Sequence, residues 1–326
     1  MTPEALAGRR CLVLGAGGFI GFNLCRALAA AGAQVHGFGR APDFAENPAA
    51  EAWTDAEFGD HVALARALDG VEVVFHLLGG SVPGEAERDP AGDLRTNAAA
   101  SLELLSLCEA AGARRLVFVS SGGTVYGPTA VLPIPEDHPT NPISVYGVHK
   151  LLVEKHLGLR AYRDGMQAMV LRVANPYGPY QRPGRGQGLV PNLILRRLSG
   201  QPIEIWGDGS TVRDYLHVDD LVRAMLAAAV YQGRHRVMNV GSGTGRSVNE
   251  VVASVDEVLG LQDAEVRHLP HRPADVPRNV LDVSRIRAEL GWSTRVGWLE
   301  GLRQTAEWLR QTYGTGGVPA VAVRAP

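Results

Sequence analysis

The 326 residues include only three cysteines, 6% aromatics and no block of like charge. Each scarcity excludes something. Cys11, Cys25 and Cys108 are odd in number and lie in apolar segments, which predicts buried thiols in a reducing compartment and not a disulfide framework. The 32 basic and 34 acidic residues leave a formal charge of −2. With no basic stripe, nucleic acid and anionic membrane are not expected partners, and any polyanion must be met by a local cluster. No apolar stretch reaches the roughly 20 residues of a membrane span, and Met1 to Arg10 lacks the basic-then-apolar order of a signal segment. A cytoplasmic location is therefore expected. No residues have metal-ligand spacing, so no metal is expected, and internal repeats are missing.

What is present is a fully globular composition, 45% hydrophobic and 20% charged, arranged in alternating patterns. Short apolar runs at Cys11–Leu14, Gln34–Phe38, Val71–Leu78, Arg115–Ser120 and Met169–Ala174 alternate with helical patterns at Phe19–Ala31, Arg95–Ala111 and Val145–Arg163. Strands covered on both faces read as continuous Val, Leu and Phe, so this rhythm predicts an α/β fold with a doubly wound parallel sheet. From about Gly178 the rhythm breaks into Pro/Gly-rich loops and isolated strands such as Ile203–Trp206 and Arg236–Val240. That predicts a first domain over 1–177, to which some later segments return, a smaller C-terminal α+β lobe over 178–313, and a flexible tail over 314–326. The cleft between the two is where a ligand is expected.

Strand one runs straight into Gly15-Ala-Gly-Gly18-Phe19-Ile20-Gly21 and then an apolar helix. Glycines permit a sharp turn and close approach of backbone to a pyrophosphate, whose charge the helix N-terminus favours. The reading is a dinucleotide site. At the end of the second strand, where an acid would accept from both ribose hydroxyls of NAD(H), stand Gly39 and Arg40. Glycine leaves room for a 2′-phosphate and arginine can bind it, so NADP(H) is expected ahead of NAD(H), with Asp43 still able to meet a ribose. Tyr146 and Lys150 are four residues apart on one helix face. A nearby ammonium is expected to lower the phenol's pKa and fit it for proton transfer.

Gly15, Gly18 and Gly21 with Tyr146-x-x-x-Lys150 resemble the extended branch of the short-chain dehydrogenase/reductase superfamily, the NAD-dependent epimerase/dehydratase family. The resemblance spans about Arg10 to Arg310 and implies a Rossmann sheet. It implies that Asp60, Leu77, Leu78, Gly79, Asn97 and Ser120 adjoin the cofactor, along with Tyr146 and Lys150. The segment from Val119 to Gly127 is similar to the serine-bearing strand end of UDP-galactose 4-epimerases, but the serine position is Gly122. Thr124 is the expected substitute hydroxyl, with Ser121 beside it. The Asp-Glu pair of sugar 4,6-dehydratases falls at Gly123 and Thr124, so dehydration is not expected. The segments around Asn175, from Gly207 to Asp219 and from His271 to Asp275 match the family's substrate half. By that match Asn175, Arg213 and Arg272 meet a substrate diphosphate, while Leu189, Glu204 and Trp206 adjoin its base.

The implied activity is NADPH-dependent reduction of the 4-keto group of a dTDP- or UDP-linked sugar, of the dTDP-4-keto-6-deoxyhexose type. The alternative is an NAD-dependent nucleotide-sugar 4-epimerase of the UDP-glucose/galactose type, and a second is a non-catalytic dinucleotide sensor. In this family the helices Arg95–Ala111 and Val145–Arg163 form a dimer contact, so a homodimer is expected. Outside the motifs, His217 and Asp219 are expected to cap a helix, and Trp292, Trp298 and Trp308 to fill the core.

Overall fold

The computed structural model describes residues 3–42, 44, 49–79, 83–184, 188–261, 265–270 and 276–314. Along them run β1 (Arg10–Leu14), α1 (Phe19–Ala30), β2 (Gln34–Phe38), β3 (Ala52–Thr54), α2 (His61–Ala67), β4 (Val73–His76), α3 (Pro83–Arg88) and α4 (Pro90–Asp93). A π-helical turn, Leu94–Ala99, leads into α5 (Ala100–Ala110), β5 (Arg115–Ser121), α6 (Val145–Asp164), β6 (Gln167–Val173), β7 (Asn175–Tyr177), α7 (Leu189–Leu198) and β8 (Ile203–Trp206). Then come β9 (Val212–His217), α8 (Val218–Val230), β10 (Val237–Val240), β11 (Gly245–Ser247), α9 (Val248–Leu259), β12 (Val266–Leu269), β13 (Arg278–Asn279), α10 (Ser284–Leu290) and α11 (Trp298–Tyr313).

The main sheet has seven strands in the order β10-β6-β5-β4-β1-β2-β3, every adjacent pair parallel. Alternate residues of each strand feed two separate cores, as a pleated strand requires. Cys11 and Val13 with Val73, Phe75 and Val117 pack on α1 and α8. Leu12 and Leu14 with Val74, Leu116 and Phe118 pack on α2, α5 and α6. Connections leave in opposite directions from β1, so the chain order reverses between β1 and β4. In such sheets the crevice at the carboxyl ends beside that reversal receives ligands.

A third core, built from Val190, Leu193, Ile194, Ile203, Ile205, Val251, Val255, Leu302 and Leu309, belongs to the smaller lobe, and Phe22 of α1 belongs to it too. That shared phenylalanine joins the lobe to the sheet. Two small sheets complete the lobe: β11-β9-β13 with β7 also on β9, and β12-β8. One strand expected in the lobe lies elsewhere. The segment ending at Val240 pairs with β6 as the seventh strand of the main sheet, one of the later segments that return to it, where Met238 and Val240 are buried in the sheet's core. The three thiols are buried as expected, and burial pushes each up to about 12. Trp292 and Trp308 are buried and Trp298 partly so. The tail beyond Gly314 lies outside the described residues.

Candidate active site

The crevice is built from backbone before side chains enter it. Gly15 and Gly39 adopt positive φ of 86° and 114° at the ends of β1 and β2, where a side chain would be strained. A Cβ on Gly17 would lie 2.2 Å from the Arg40 carbonyl, and one on Gly21 2.2 Å from that of Gly15. Glycine is the residue that lets these segments touch. On the other flank, a Cβ on Gly15 would meet Leu78 at 3.3 Å and the backbone of Leu77 at 3.6 Å. α1 starts at Gly18 with no side-chain cap and no acid in its first turn. Its leading N–H groups, Phe19 and Ile20 among them, are left for an anion, which fits the pyrophosphate of a dinucleotide.

Past Leu78 the crevice reaches Tyr146 and Lys150. A Cβ on Gly79, itself at φ 95°, would be 3.4 Å from Lys150 Nζ and 3.9 Å from Asn97. Lys150 Nζ donates to Val119 O at 3.0 Å and to Leu78 O at 3.5 Å, so the end of β5 and the loop after β4 fix it. Ser144 caps α6, accepting from Gly147 N at 3.2 Å, and thereby sets where the first helical turn, carrying Tyr146, begins. Lys150 Nζ stands 5.7 Å from the centre of the Tyr146 ring.

The electrostatics depart from expectation. Burial pushes the Tyr146 phenol up to about 12, with Asp93 adding to it. Burial also pulls Lys150 down to about 8, opposed by Asp93 and Glu154. Proximity of the ammonium does not by itself yield a low phenol pKa here, because loss of water disfavours both charged forms. The phenol and ammonium are both poised against carrying charge.

Gly122 has no room for the serine that the sequence resemblance implies at this position. A Cβ there would lie 2.6 Å from Leu281 Cδ1 and 3.0 Å from Arg172 O. Thr124 has the open hydroxyl: its Oγ1 is buried and meets no hydrogen-bond partner. Its backbone lies against the Tyr146 helix, for a Cβ on Gly147 would be 3.0 Å from Thr124 O. A buried hydroxyl without a partner is unfavourable unless a ligand satisfies it. Ser121, partly exposed, ends β5 just before this turn. Ser120 is used differently: its hydroxyl donates to Glu154, which also binds Arg172 at 2.7 Å. Any contact of Ser120 with a cofactor is left to its backbone.

The lobe brings its own residues to the same rim. Asn279 Nδ2 donates to Gly122 O at 3.1 Å, and Asn279 is in register with Arg213 on β9. Asn175 donates to Asp214 O at 3.1 Å, so Asn175 and Arg213 flank one strand end. Arg213 bonds the carbonyls of Val212 and Val276 at 2.9 and 2.6 Å. Arg246 lies directly opposite Arg213 across the antiparallel pair, a second arginine that no sequence motif had marked. Leu189 begins α7 beside Gly188. Trp206 is exposed at the end of β8, while Glu204 pairs with Arg196 at 3.1 Å. Asp60 caps α2, accepting from Ala63 N at 2.9 Å. Arg40 is exposed. Arg272 and Asp43 lie outside the described residues. His217 caps α8, accepting from Asp219 N at 3.3 Å.

Two further polar residues, Asp93 and His149, line the cavity that holds Gly79, Asn97, Tyr146 and Lys150. Sequence reasoning missed both. Their one legible signal was spacing: His149 precedes Lys150, and Asp93 stands four residues before Asn97. Among the described residues no group of three or more His, Cys, Asp or Glu could hold a metal ion, and no helix is long and apolar enough to cross a membrane.

Comparison with known proteins places these features in context. The model of the NAD dependent epimerase/dehydratase family matches residues 11–241. A UDP-glucose 4-epimerase of Mycolicibacterium smegmatis is 34% identical over 313 residues, 92% of this chain and 98% of that protein. A dTDP-4-dehydro-6-deoxyglucose reductase of Escherichia coli is 30% identical, covering 74% of this chain and 75% of its own length. Among solved structures, the UDP-glucose 4-epimerase of Thermotoga maritima with UDP-glucose superposes with a TM-score of 0.88 at 36% identity, covering 93% of this chain and 99% of that one. The Thermus thermophilus UDP-glucose 4-epimerase with NAD does so at 0.85 and 31% identity, over 92% and 99%.

Proposed function

The chain belongs to the NAD dependent epimerase/dehydratase family, and from that premise we propose that it is a nucleotide-sugar 4-epimerase of the UDP-glucose/galactose type, using NAD. The observation that carries this is that the Thr124 backbone, whose buried hydroxyl has no partner, packs on the α6 turn bearing Tyr146, while Lys150 is fixed to Val119 O at the end of β5. A nicotinamide dinucleotide held by the Gly15–Gly21 turn and Lys150 would supply the hydride acceptor and donor for the sugar carbon. Tyr146 accepts the proton of the sugar hydroxyl and gives it back; Lys150 holds its charge beside the phenol; Thr124, with Ser121 near, orients the oxygen. Arg213, with Arg272 by sequence, and Asn175 receive the diphosphate, whose forked oxygens suit guanidinium groups. Leu189 and the β8 strand adjoin the base.

The expected 4-ketoreductase with NADPH is less well supported. Gly39 and Arg40 were its sequence argument, and the φ of 114° gives that glycine a backbone reason independent of any 2′-phosphate, leaving the exposed Arg40 alone. The full-length relatives support epimerisation and NAD more strongly than the shorter match to a reductase does.

The test is to supply UDP-galactose and follow UDP-glucose by nuclear magnetic resonance, with NAD and then NADP. Conversion without net change in reduced cofactor supports the reading. Consumption of NADPH with a 4-keto sugar nucleotide, and no conversion, replaces it with the reductase; turnover in neither assay leaves the sensor. Assembly follows as a second proposal. Val148, Leu159 and Tyr162, 48%, 39% and 90% exposed, fall on one stripe of α6, and we infer a homodimer through it. Sedimentation of Tyr162→Glu as a monomer where the parent is a dimer supports this; a monomeric parent at micromolar concentration overturns it.

A further inference from the structure

Asp93 is a carboxylate that the reaction above leaves unused. It ends α4 and is 7% exposed, and buried charges persist where they are held and paired. Its Oδ1 accepts from Asn97 Nδ2 at 2.7 Å, and its Oδ2 accepts from Nδ1 of His149. The π-helical turn begins at the next residue; such wide turns occur mostly as single insertions and often at functional sites. His149 precedes Lys150 on α6, so the two bonds to Asp93 join the wide turn to the helix that carries Tyr146. Asp93, His149, Tyr146 and Lys150 line one cavity.

We propose that Asp93 is a positioning residue that sets the proton affinity of the Tyr146 phenol, with His149 holding the carboxylate in place. A fixed negative charge beside a phenol opposes phenolate and favours a neighbouring ammonium. Both directions are found: Asp93 adds to the upward displacement of Tyr146 and works against the discharge of Lys150. The chemical use is specific to a phenol that must accept a proton and return it in one turnover. A phenol made too acidic would accept the proton poorly, and Asp93 offsets the acidifying pull of Lys150. Other titratable groups facing this region are Glu154 on α6, His76 on β4, whose ring burial and Lys150 hold neutral by pulling it down to about 3, and Glu87 on α3, which accepts from Val145 N at 2.7 Å. None of these bonds both Asn97 and His149.

This inference rests on Tyr146 as the proton-transfer group, and the experiment separates the two. Tyrosinate absorbance is titrated in the cofactor-free protein, and the titration of Tyr146→Phe is subtracted to leave Tyr146 alone. Asp93→Asn is expected to lower that titration by about one pH unit, and Asp93→Glu to restore it. The acid limb of the turnover profile, where phenolate is required, moves to lower pH in the same variant. His149→Gln displaces the limb in the native background and leaves it unmoved in Asp93→Asn, since His149 acts through Asp93. An unmoved titration in folded Asp93→Asn overturns the inference, as does an equal effect of His149→Gln in both backgrounds. Should Asp93→Asn not fold, the titration of His149→Gln decides alone: displacement supports the inference and none overturns it. Full turnover in Tyr146→Phe would instead overturn the function proposed above.

Discussion

The ammonium of Lys150 lies 4.8 Å from the centre of the Phe118 ring, in contact with an aromatic face where water would otherwise be. The ring and the Val119 carbonyl stabilise the cation only in part, and burial still draws its pKa down to about 8.

Lys150 is a base whose folded pKa lies below its ordinary 10.5, so it sheds its proton as pH rises through about 8. Followed by the nitrogen chemical shift of its Nζ in the cofactor-free protein, Lys150 should titrate with a midpoint near pH 8. Phe118→Leu removes the ring and moves the midpoint lower still, by about half a unit. A midpoint near the ordinary 10.5 would contradict this.

The same shift fixes a stability trend. Folding favours the neutral amine, so the cost of burying the charged form is fully present below the folded value near 8 and fades as pH rises toward the unfolded 10.5. Lys150→Met relieves that cost. Denaturant midpoints at pH 7 should rise in this variant relative to the parent, and the gap should narrow by pH 10.

Thr124 makes a prediction in which stability and activity part. Its Oγ1 is buried without a partner, so Thr124→Val should leave the melting temperature unchanged or raise it. Turnover should fall by about 10- to 1,000-fold. Tyr146→Phe should lose about 100- to 10,000-fold while still binding cofactor. Equal activity of Thr124→Val and parent would pass the hydroxyl role to Ser121, to be checked with Ser121→Ala.

Restoring the family serine should fail. Gly122→Ser places a Cβ 2.6 Å from Leu281 Cδ1 and 3.0 Å from Arg172 O, and overpacking of this kind costs about 1–3 kcal/mol. Calorimetry should show a lower melting temperature and assays no gain in rate.

Arg172 and Glu154 are both buried and joined at 2.7 Å. Arg172→Met leaves the carboxylate buried without its cation and should cost about 3–5 kcal/mol by denaturant unfolding. Adding Glu154→Gln should recover part of that loss, because the stranded charge is removed. An additive double variant would show that the two do not act as a pair.

Much of the site was legible because it is written in local geometry. Gly15, at positive φ, and Gly21, where a Cβ would strike the Gly15 carbonyl, mark a turn that needs glycine, and Tyr146 and Lys150 share a helix face by their spacing alone. The substitution at Gly122 was visible too, but its cause was not. Leu281, whose side chain fills that space, lies far along the chain, and no local pattern records such a contact. The same holds for Asp93, which reaches His149 across 56 positions, and for the seventh strand, whose hydrophobic run fits either sheet until the fold offers an edge.

By itself the sequence determined the parallel α/β sheet, the glycine turn after β1 and the shared helix face of Tyr146 and Lys150, since each depends on residues within one or two helical turns or on strand periodicity. Tertiary structure alone decided the charge states of Tyr146 and Lys150, the commitment of Ser120 to Glu154 and the vacancy at the Thr124 hydroxyl. Those follow from which groups lose water together and which meet across the chain, and desolvation is a property of the assembled environment.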